Sequence, residues 1–409
     1  IPGQASSAGA PTITLDAPGD GGDGFEVKAG GDTVDVDDVE EVVVDFSAGS
    51  GTLVTTGDFI ASGINVSTIT VEGGADADTV NASAMTSSGA ASNVGIDFDG
   101  NGGDDTFHSG VGDDHFDGGA GTDRAVFDGN FADFTLDTTG ALTVAGPSGT
   151  DTFENVERLS FDDGDVWIVG GFGSGFTSIQ AAIDEAQAGD TILVLPGTYT
   201  EDLTVNKEVN LIGANQGLSG TDARGSESII DGLVSLSGPG AIIDGVQFLN
   251  DEAVGARAAL NQVTLTSAGH AIRNSVFLSS VAGGSTGGLH DVALFINTLA
   301  AGALIIENNL FSGDGSFGAG DKYGSAAWGR GIWSNGGGVE TDITGNTFQN
   351  TRTGLNLEDY RDSTSSVADN EFVDSGSGIS IGVPTAGTLS SITDNSFDNV
   401  DSDINAGNL

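Results

Sequence analysis

A six-residue pattern returns along the second half of this chain: an apolar residue, two variable positions, Asn, one variable position, Phe. It reads Ile306/Asn309/Phe311, Ile343/Asn346/Phe348, Val367/Asn370/Phe372 and Ile392/Asn395/Phe397, and the last three Phe residues are spaced by 24 (372 − 348) and 25 (397 − 372). Two earlier copies, Ile243/Phe248 and Ile272/Phe277, keep the ends without the Asn. A chain that meets the same residue types at such an interval builds one coil per repeat, and stacked coils rise by ~4.8 Å each and pile identical positions on one another. The Phe series is therefore expected as an internal stack. The Asn series is expected as a buried ladder whose amides bond one another and the backbone of the bend. A second strand follows the Phe, as in GLNLEDY (354–360) and GISIGV (378–383).

Ahead of these coils lies the one persuasive helix, FTSIQAAIDEAQAGD at 176–190. Ile179, Ala182, Ile183 and Ala186 fall on one face, Thr177 with Gln180 forms a capping box, and Gly189 is a natural stop. The strand TILVLPGTYTE and the run LTVNKEVNLIGANQG follow. This entry resembles that of a pectin-lyase-like right-handed parallel β-helix, in which a short amphipathic helix covers the open first coil. Without such a cover the coil exposes its apolar interior and an unpaired edge.

Upstream, three units of nine read GNGGDDTFH, SGVGDDHFD and GGAGTDRAV from Gly100. Gly stands fourth (Gly103, Gly112, Gly121), Asp sixth (Asp105, Asp114, Asp123) and an apolar residue eighth (Phe107, Phe116, Ala125). A fourth unit, GGADADTVN at 73–81, keeps the same phase. Glycines let the backbone turn sharply and aim carbonyls inward, the Asp adds a carboxylate, and hard oxygen ligands in such a loop suit Ca²⁺. These units resemble the RTX (repeats-in-toxin) family, whose consensus is GGxGxD followed by an apolar residue. VFDGNFADFTLDTTGALTVAGPSGTDTFENVERLSFDDGDV, at 126–166, is similar to the segment that caps RTX rolls.

The resemblance implies coils of eighteen residues with calcium between units that far apart. It yields one complete cage: the carbonyls of Asn101 and Gly103 with the Asp105 carboxylate, facing the carbonyls of Gly118 and Ala120 with the Asp123 carboxylate. Asp114 has half a cage, from Gly110 and Gly112, because position 132 is Ala where its partner belongs, and Asp114 is expected to matter little. Asp78 faces Ile96 and is similarly incomplete. His108 and His115 occupy variable positions of the repeats, which points to surface placement.

Composition narrows the function classes. With 60 acidic residues against 11 basic ones, the net charge is -49. Such a surface repels nucleic acid and anionic membranes, and it repels itself unless cations are bound. There is no cysteine to staple a secreted chain, so metal takes that role in this reading. No stretch approaches the ~20 apolar residues of a membrane span, which argues against membrane insertion. The chain opens on Ile1 without a cationic-then-apolar leader, which reads as a processed or trimmed start. It stops at SDINAGNL with no amphipathic helix over the last coil, which suggests further chain or docking onto a neighbouring subunit. The resulting plan is all-β: an N-terminal β-rich segment of unclear phase (1–70), a calcium-binding roll with its cap (71–170), and a right-handed parallel β-helix with an N-terminal capping helix (171–409).

Pectin-lyase-like helices include lyases, hydrolases, esterases and uronate epimerases beside adhesins, phage spikes and surface-layer components, so the fold does not decide the activity. A lyase neutralises a uronate carboxylate, removes the C5 proton and protonates the leaving oxygen, usually with Lys, Arg, His or Tyr. The best cluster comes from two interruptions, GDKYGSAAWGRGIW and LEDYRDS. It supplies Lys322 and Arg330 from the first and Asp359 and Arg361 from the second, with Tyr323 and Tyr360 beside them. The same residue types also make a sugar-binding surface. His270 and His290 are isolated, and the compact Asp-Pro-His-Glu run of the epimerases is absent. The reading favoured is a secreted, calcium-dependent structural or adhesive protein at the cell surface. The RTX resemblance implies its export through type I secretion, and self-association is expected. The alternative is an enzyme acting on a polysaccharide, a uronate lyase or C5-epimerase.

Overall fold

In the computed structural model, the described residues are 12–17, 25–29, 32–36, 42–57, 66–86, 94–171, 176–250, 261–279, 292–297, 302–313, 330–334, 340–357, 365–382 and 391–406. They are almost entirely β, and they fall into two compact units, Ile1–Thr177 and Ser178–Leu409.

The first unit is a two-file solenoid. One file of parallel strands contains Thr12–Ala17, Thr52–Gly57, Thr79–Met85, Thr106–His108, Arg124–Val126 and Arg158–Phe161. The other contains Val42–Asp45, Thr68–Glu72, Gly95–Asp99, His115–Asp117 and Gly149–Glu154. The files run through residue 70 without a break, so strands from the N-terminal segment share the coil of the nonapeptides. Their phase escaped sequence reading because their turns carry no GGxGxD. Phe107, Phe116 and Ala125 are fully buried, and Phe98 stacks on Phe116 at 4.9 Å. At the cap, Thr135–Asp137, Leu142–Gly146 and Gly149–Glu154 pair antiparallel. The cap also gathers Phe127, Phe131, Phe134 and Phe161 into one aromatic cluster.

The second unit is a parallel β-helix with three strands per coil. Among the described residues each of its three files holds eight strands, starting from Thr191–Val194, Gly197–Tyr199 and Leu203–Val205. The Phe residues of the sequence pattern stand in direct lateral register from Phe248 to Phe397. Their rings stack at 4.5 to 5.1 Å. The Asn ladder is continuous: Asn309, Asn346 and Asn370 each donate Nδ2–H to the Oδ1 of the next Asn, at 3.0, 3.0 and 2.9 Å. The turn is only two residues long because a left-handed residue precedes each Asn, namely Asn308, Gly345, Asp369 and Asp394 at φ 56, 63, 56 and 57°. Asn, Asp and Gly are the residues that visit this region at little cost.

The helix spans Ile179–Glu185, shorter than the 176–190 pattern, and buries Ile179, Ala182 and Ile183. Its N-cap is Ser178, whose Oγ accepts the Ala181 N–H, in place of the Thr177–Gln180 box. Gln180 is engaged elsewhere, since its Oε1 accepts the Thr204 N–H at 2.7 Å. Glu201 accepts the Ile179 and Gln180 N–H groups at 2.7 and 3.1 Å, and Lys207 Nζ donates to the carbonyls of Ile183, Asp184 and Ala186. An anion at the N-terminus and a cation at the C-terminus both oppose the helix dipole. Among the described residues no helix is long and apolar enough to cross a membrane.

Candidate cation-binding edges

The sixth-position carboxylates form a ladder along one edge of the first unit. Asp78 Oδ1 accepts the Gly51 N–H, Asp105 Oδ1 that of Asp78, Asp123 Oδ1 that of Asp105, and Glu157 Oε2 that of Asp123, at 2.6, 2.7, 2.7 and 2.6 Å. The rungs are 27, 27, 18 and 34 residues apart. Asp78 thus sits between Gly51 and Asp105. It does not face Ile96, because its coil is 27 residues long where the repeat phase suggests eighteen.

The predicted cage residues meet at one pair of turns. Asn101 O accepts the Ala120 N–H at 3.0 Å, Ala120 O accepts the Gly103 N–H at 2.9 Å, and Gly102 bridges to Ala120. Asp105 and Asp123 are 1% and 0% exposed, and the Oδ2 of each is buried without a hydrogen-bond partner. A methyl group on Gly100 would collide with Asp105 Oδ2 and lie 2.7 Å from the Gly118 carbonyl oxygen. An orphaned carboxylate oxygen and a carbonyl oxygen therefore converge on one small space. Without a counter-charge this arrangement is costly. Burial, reinforced by neighbouring carboxylates, pushes both Asp105 and Asp123 up to about 7. The donor set is all oxygen and fits a hard divalent cation. Among the described residues no three His, Asp or Glu side chains gather, so two carboxylates and backbone carbonyls would have to hold it.

On the opposite edge Asp114 Oδ1 accepts the Ile96 N–H at 2.8 Å. Its own N–H donates to Asp151 Oδ1 at 3.0 Å, so its partner lies 37 residues on. Sequence spacing placed that partner at Ala132. The cap's antiparallel strands are looped out between, and Gly149-Thr150-Asp151 takes the place that Gly121-Thr122-Asp123 has on the first edge. Thr122 N–H donates to Asp104 Oδ1 and Thr150 N–H to Asp113 Oδ1, both at 2.9 Å. Gly112 N–H donates to Ser148 O as Gly103 does to Ala120 O. A cavity of about 60 Å³ lies here, lined by Ser109, Gly110, Ser148, Gly149 and Asp151 among others. Burial, then the neighbouring carboxylate, pushes Asp114 to about 7, and burial raises Asp151 to about 6. The repeated tripeptide Gly-Thr-Asp was the available signal for this pairing.

His115 is half-buried, with Nδ1 3.1 Å from Asp97 Oδ1. His270 is buried in the second unit, where Nδ1 accepts the Ala241 N–H at 3.1 Å and Nε2 lies 2.9 Å from Ser267 Oγ. Lys322, Asp359, Arg361, Tyr323, Tyr360 and His290 lie outside the described residues. Arg330 is described, with its guanidinium 4.5 Å above the Trp333 ring, and Trp333 packs on Phe295 at 4.8 Å.

No curated protein and no solved structure matches the chain. A family model does match, over residues 164–409, and its description is protein of unknown function (DUF1565). That span exceeds half of the chain and takes in the whole β-helix with its capping helix, and the chain belongs to this family.

Proposed function

We propose that this chain is a calcium-stabilised extracellular scaffold, a segment of a surface layer, matrix fibre or adhesin, whose first unit is an RTX-type roll. The observation that carries the reading is the pair of buried, partnerless Oδ2 atoms of Asp105 and Asp123 set among turn carbonyls. Calcium would be held there by Asp105, Asp123 and the carbonyls of Asn101, Gly103, Gly118 and Ala120. On the other edge it would be held by Asp114, Asp151 and the carbonyls of Gly110 and Gly112. The ion supplies the positive charge that the net -49 of the chain lacks. Because binding free energy is then folding free energy, the roll stays open in a calcium-poor cytoplasm and closes after export, as type I secretion would require. The β-helix, whose core is a Phe stack and an Asn ladder, presents a rigid shaft for neighbouring subunits.

Hydrogen exchange of the full chain with and without a chelator tests this. The expected result is loss of protection over 70–166 on chelation, with 176–409 little changed. Equal protection across 100–126 in both states would overturn it. A second reading, a polysaccharide-active protein, draws on the half-buried Phe295–Trp333 pair with Arg330 above it, residue types that sugar-binding surfaces use. Oligouronate binding that is lost on Trp333→Ala would favour it.

A further inference from the structure

We propose that the cap closes a second cation site on the first edge, one coil beyond Asp105, built from Asp123, the Asn155 carbonyl and Glu157. The inference rests on the calcium reading of the Asp105 rung and extends it to residues outside the nonapeptides.

The cap reproduces the rung with a shorter turn. Gly100 N–H donates to Asp117 O at 2.8 Å, and Gly118 N–H donates to Glu154 O at 2.9 Å, so Asn155 follows Glu154 as Gly118 follows Asp117. From Gly118 the chain takes six residues to reach Asp123, whereas from Asn155 it takes three to reach Glu157. Asn155 makes the sharper turn at φ 52°, pinned by its Nδ2–H bond to Asp117 Oδ1 at 2.6 Å. The longer Glu side chain then spans the shortfall, and its Oε2 accepts the Asp123 N–H at 2.6 Å, as Asp123 Oδ1 accepts that of Asp105 at 2.7 Å.

Every rung spends one carboxylate oxygen on the preceding coil. What remains at Asp123 is Oδ2, on a side chain 0% exposed and without a hydrogen-bond partner, and this oxygen would bridge the ion proposed here and the one at the Asp105 rung. A methyl group on Gly118 would collide with the Asn155 carbonyl oxygen and come within 2.6 Å of the Asp123 carboxyl carbon. Carboxylate and carbonyl thus flank one gap, as Asp105 and the Gly118 carbonyl do one coil earlier. Glu157, 2% exposed, brings a second buried carboxylate to the same rung. The Asp123 carboxyl, with its one unpartnered oxygen, and the Asn155 carbonyl oxygen at this gap, with the Glu157 carboxylate held on the same rung, fit a divalent cation of the hard, oxygen-seeking class. Such an ion would tie the cap to the repeats and give the last repeat the charge balance of the earlier ones.

The experiment is calcium titration of the full chain by calorimetry and native mass spectrometry, for wild type, Glu157→Gln and Asp105→Asn. Glu157→Gln is expected to bind one calcium fewer than wild type while the Asp105 rung still binds. Unchanged stoichiometry and affinity in Glu157→Gln would overturn this inference and leave the Asp105 site standing. A wild type that binds no calcium would overturn both. Because Glu157→Gln can unfold the cap, a crystal of the wild type grown with terbium decides independently. An anomalous peak bonded to Asp123 and Glu157 supports the site, and peaks at the other rungs without one here refute it.

Discussion

Glycine at positions 331, 354 and 378 shows how one atom decides the packing of the shaft. These residues are buried at the start of the third strand of their coils, and a methyl group on Gly354 would collide with the ring edge of Phe372. Gly331 stands in the same relation to Phe348, and Gly378 to Phe397. In a chain with 67 glycines this file is indistinguishable from turn glycines until the Phe stack is seen. Phe372→Ala is expected to cost about 3–5 kcal/mol, and Gly354→Ala about 1–3 kcal/mol through overpacking. In the Phe372→Ala background Gly354→Ala should cost less, because the ring it strikes is gone and only the closer approach to the Gly378 carbonyl oxygen at 3.0 Å remains, and a double-mutant cycle by denaturant unfolding reads this directly. His270 gives the residue scale its pH dependence. Burial holds the ring below its ordinary 6.5, so the folded chain keeps it neutral while the unfolded chain takes up a proton as pH falls. The unfolded state then binds more protons, and stability drops as pH falls below 6.5. His270→Gln should flatten that part of the pH profile of the β-helix relative to wild type.

At the scale of the element, the Asn ladder makes a two-residue turn rigid. Asn346 Oδ1 accepts the Asn309 backbone N–H, and its Nδ2 donates to the Ile306 and Thr344 carbonyls. Truncation strands several buried groups at once, each worth about 1–3 kcal/mol. Asn346→Ala is therefore expected to lower the melting temperature of the β-helix well beyond Asn395→Ala, whose site is half-exposed. Equal losses in the two variants would show that the ladder is not what holds the turn. The Phe and Asn files were legible in the sequence because the spacing inside each six-residue copy is fixed and the residue types are narrow, although successive Asn residues lie from 24 to 37 residues apart. The partner of Asp114 was not legible, since a stretch of antiparallel strand displaces it to Asp151, and spacing arguments fail across an insertion of unknown length. Glu157 was hidden for the opposite reason: the turn before it is shortened, and a longer acid stands where the repeat leads one to look for Asp. The ladder through Asp78 is hidden from spacing because a coil of 27 residues passes for a broken series of eighteens.

For the whole molecule the governing quantity is charge, and its arrangement is more demanding than its sum. Along the outer face of one file in the first unit, Asp45, Glu72, Asp99, Asp117 and Glu154 stand in direct lateral register on adjacent strands. Like charges placed directly opposite each other destabilise a sheet by about 0.2–1 kcal/mol per pair, and this file repeats the offence at every coil. Asp99 and Asp117 recover part of that cost by accepting the Asn101 and Gly119 N–H groups two residues on, at the entrances of the turns that carry the candidate cation sites. The acids are thus both a repulsive stripe and the hinge posts of those turns. Two kinds of cation should then act separately. Calcium bound at the buried rungs would be specific and saturable, whereas screening of the outer stripe is generic and follows the Debye length, about 10 Å at 0.1 M salt and 3 Å at 1 M. In the presence of a chelator, raising potassium chloride from 0.1 to 1 M is expected to raise the melting temperature of the first unit while leaving its calcium stoichiometry at zero. Asp117→Asn, which relieves two of the like-charge contacts in the stripe, should reduce that salt dependence. A first unit whose melting temperature in chelator falls or stays flat with salt would mean that repulsion along this file does not limit its stability. Any calcium dependence of the first unit would then have to be traced to the buried carboxylates alone.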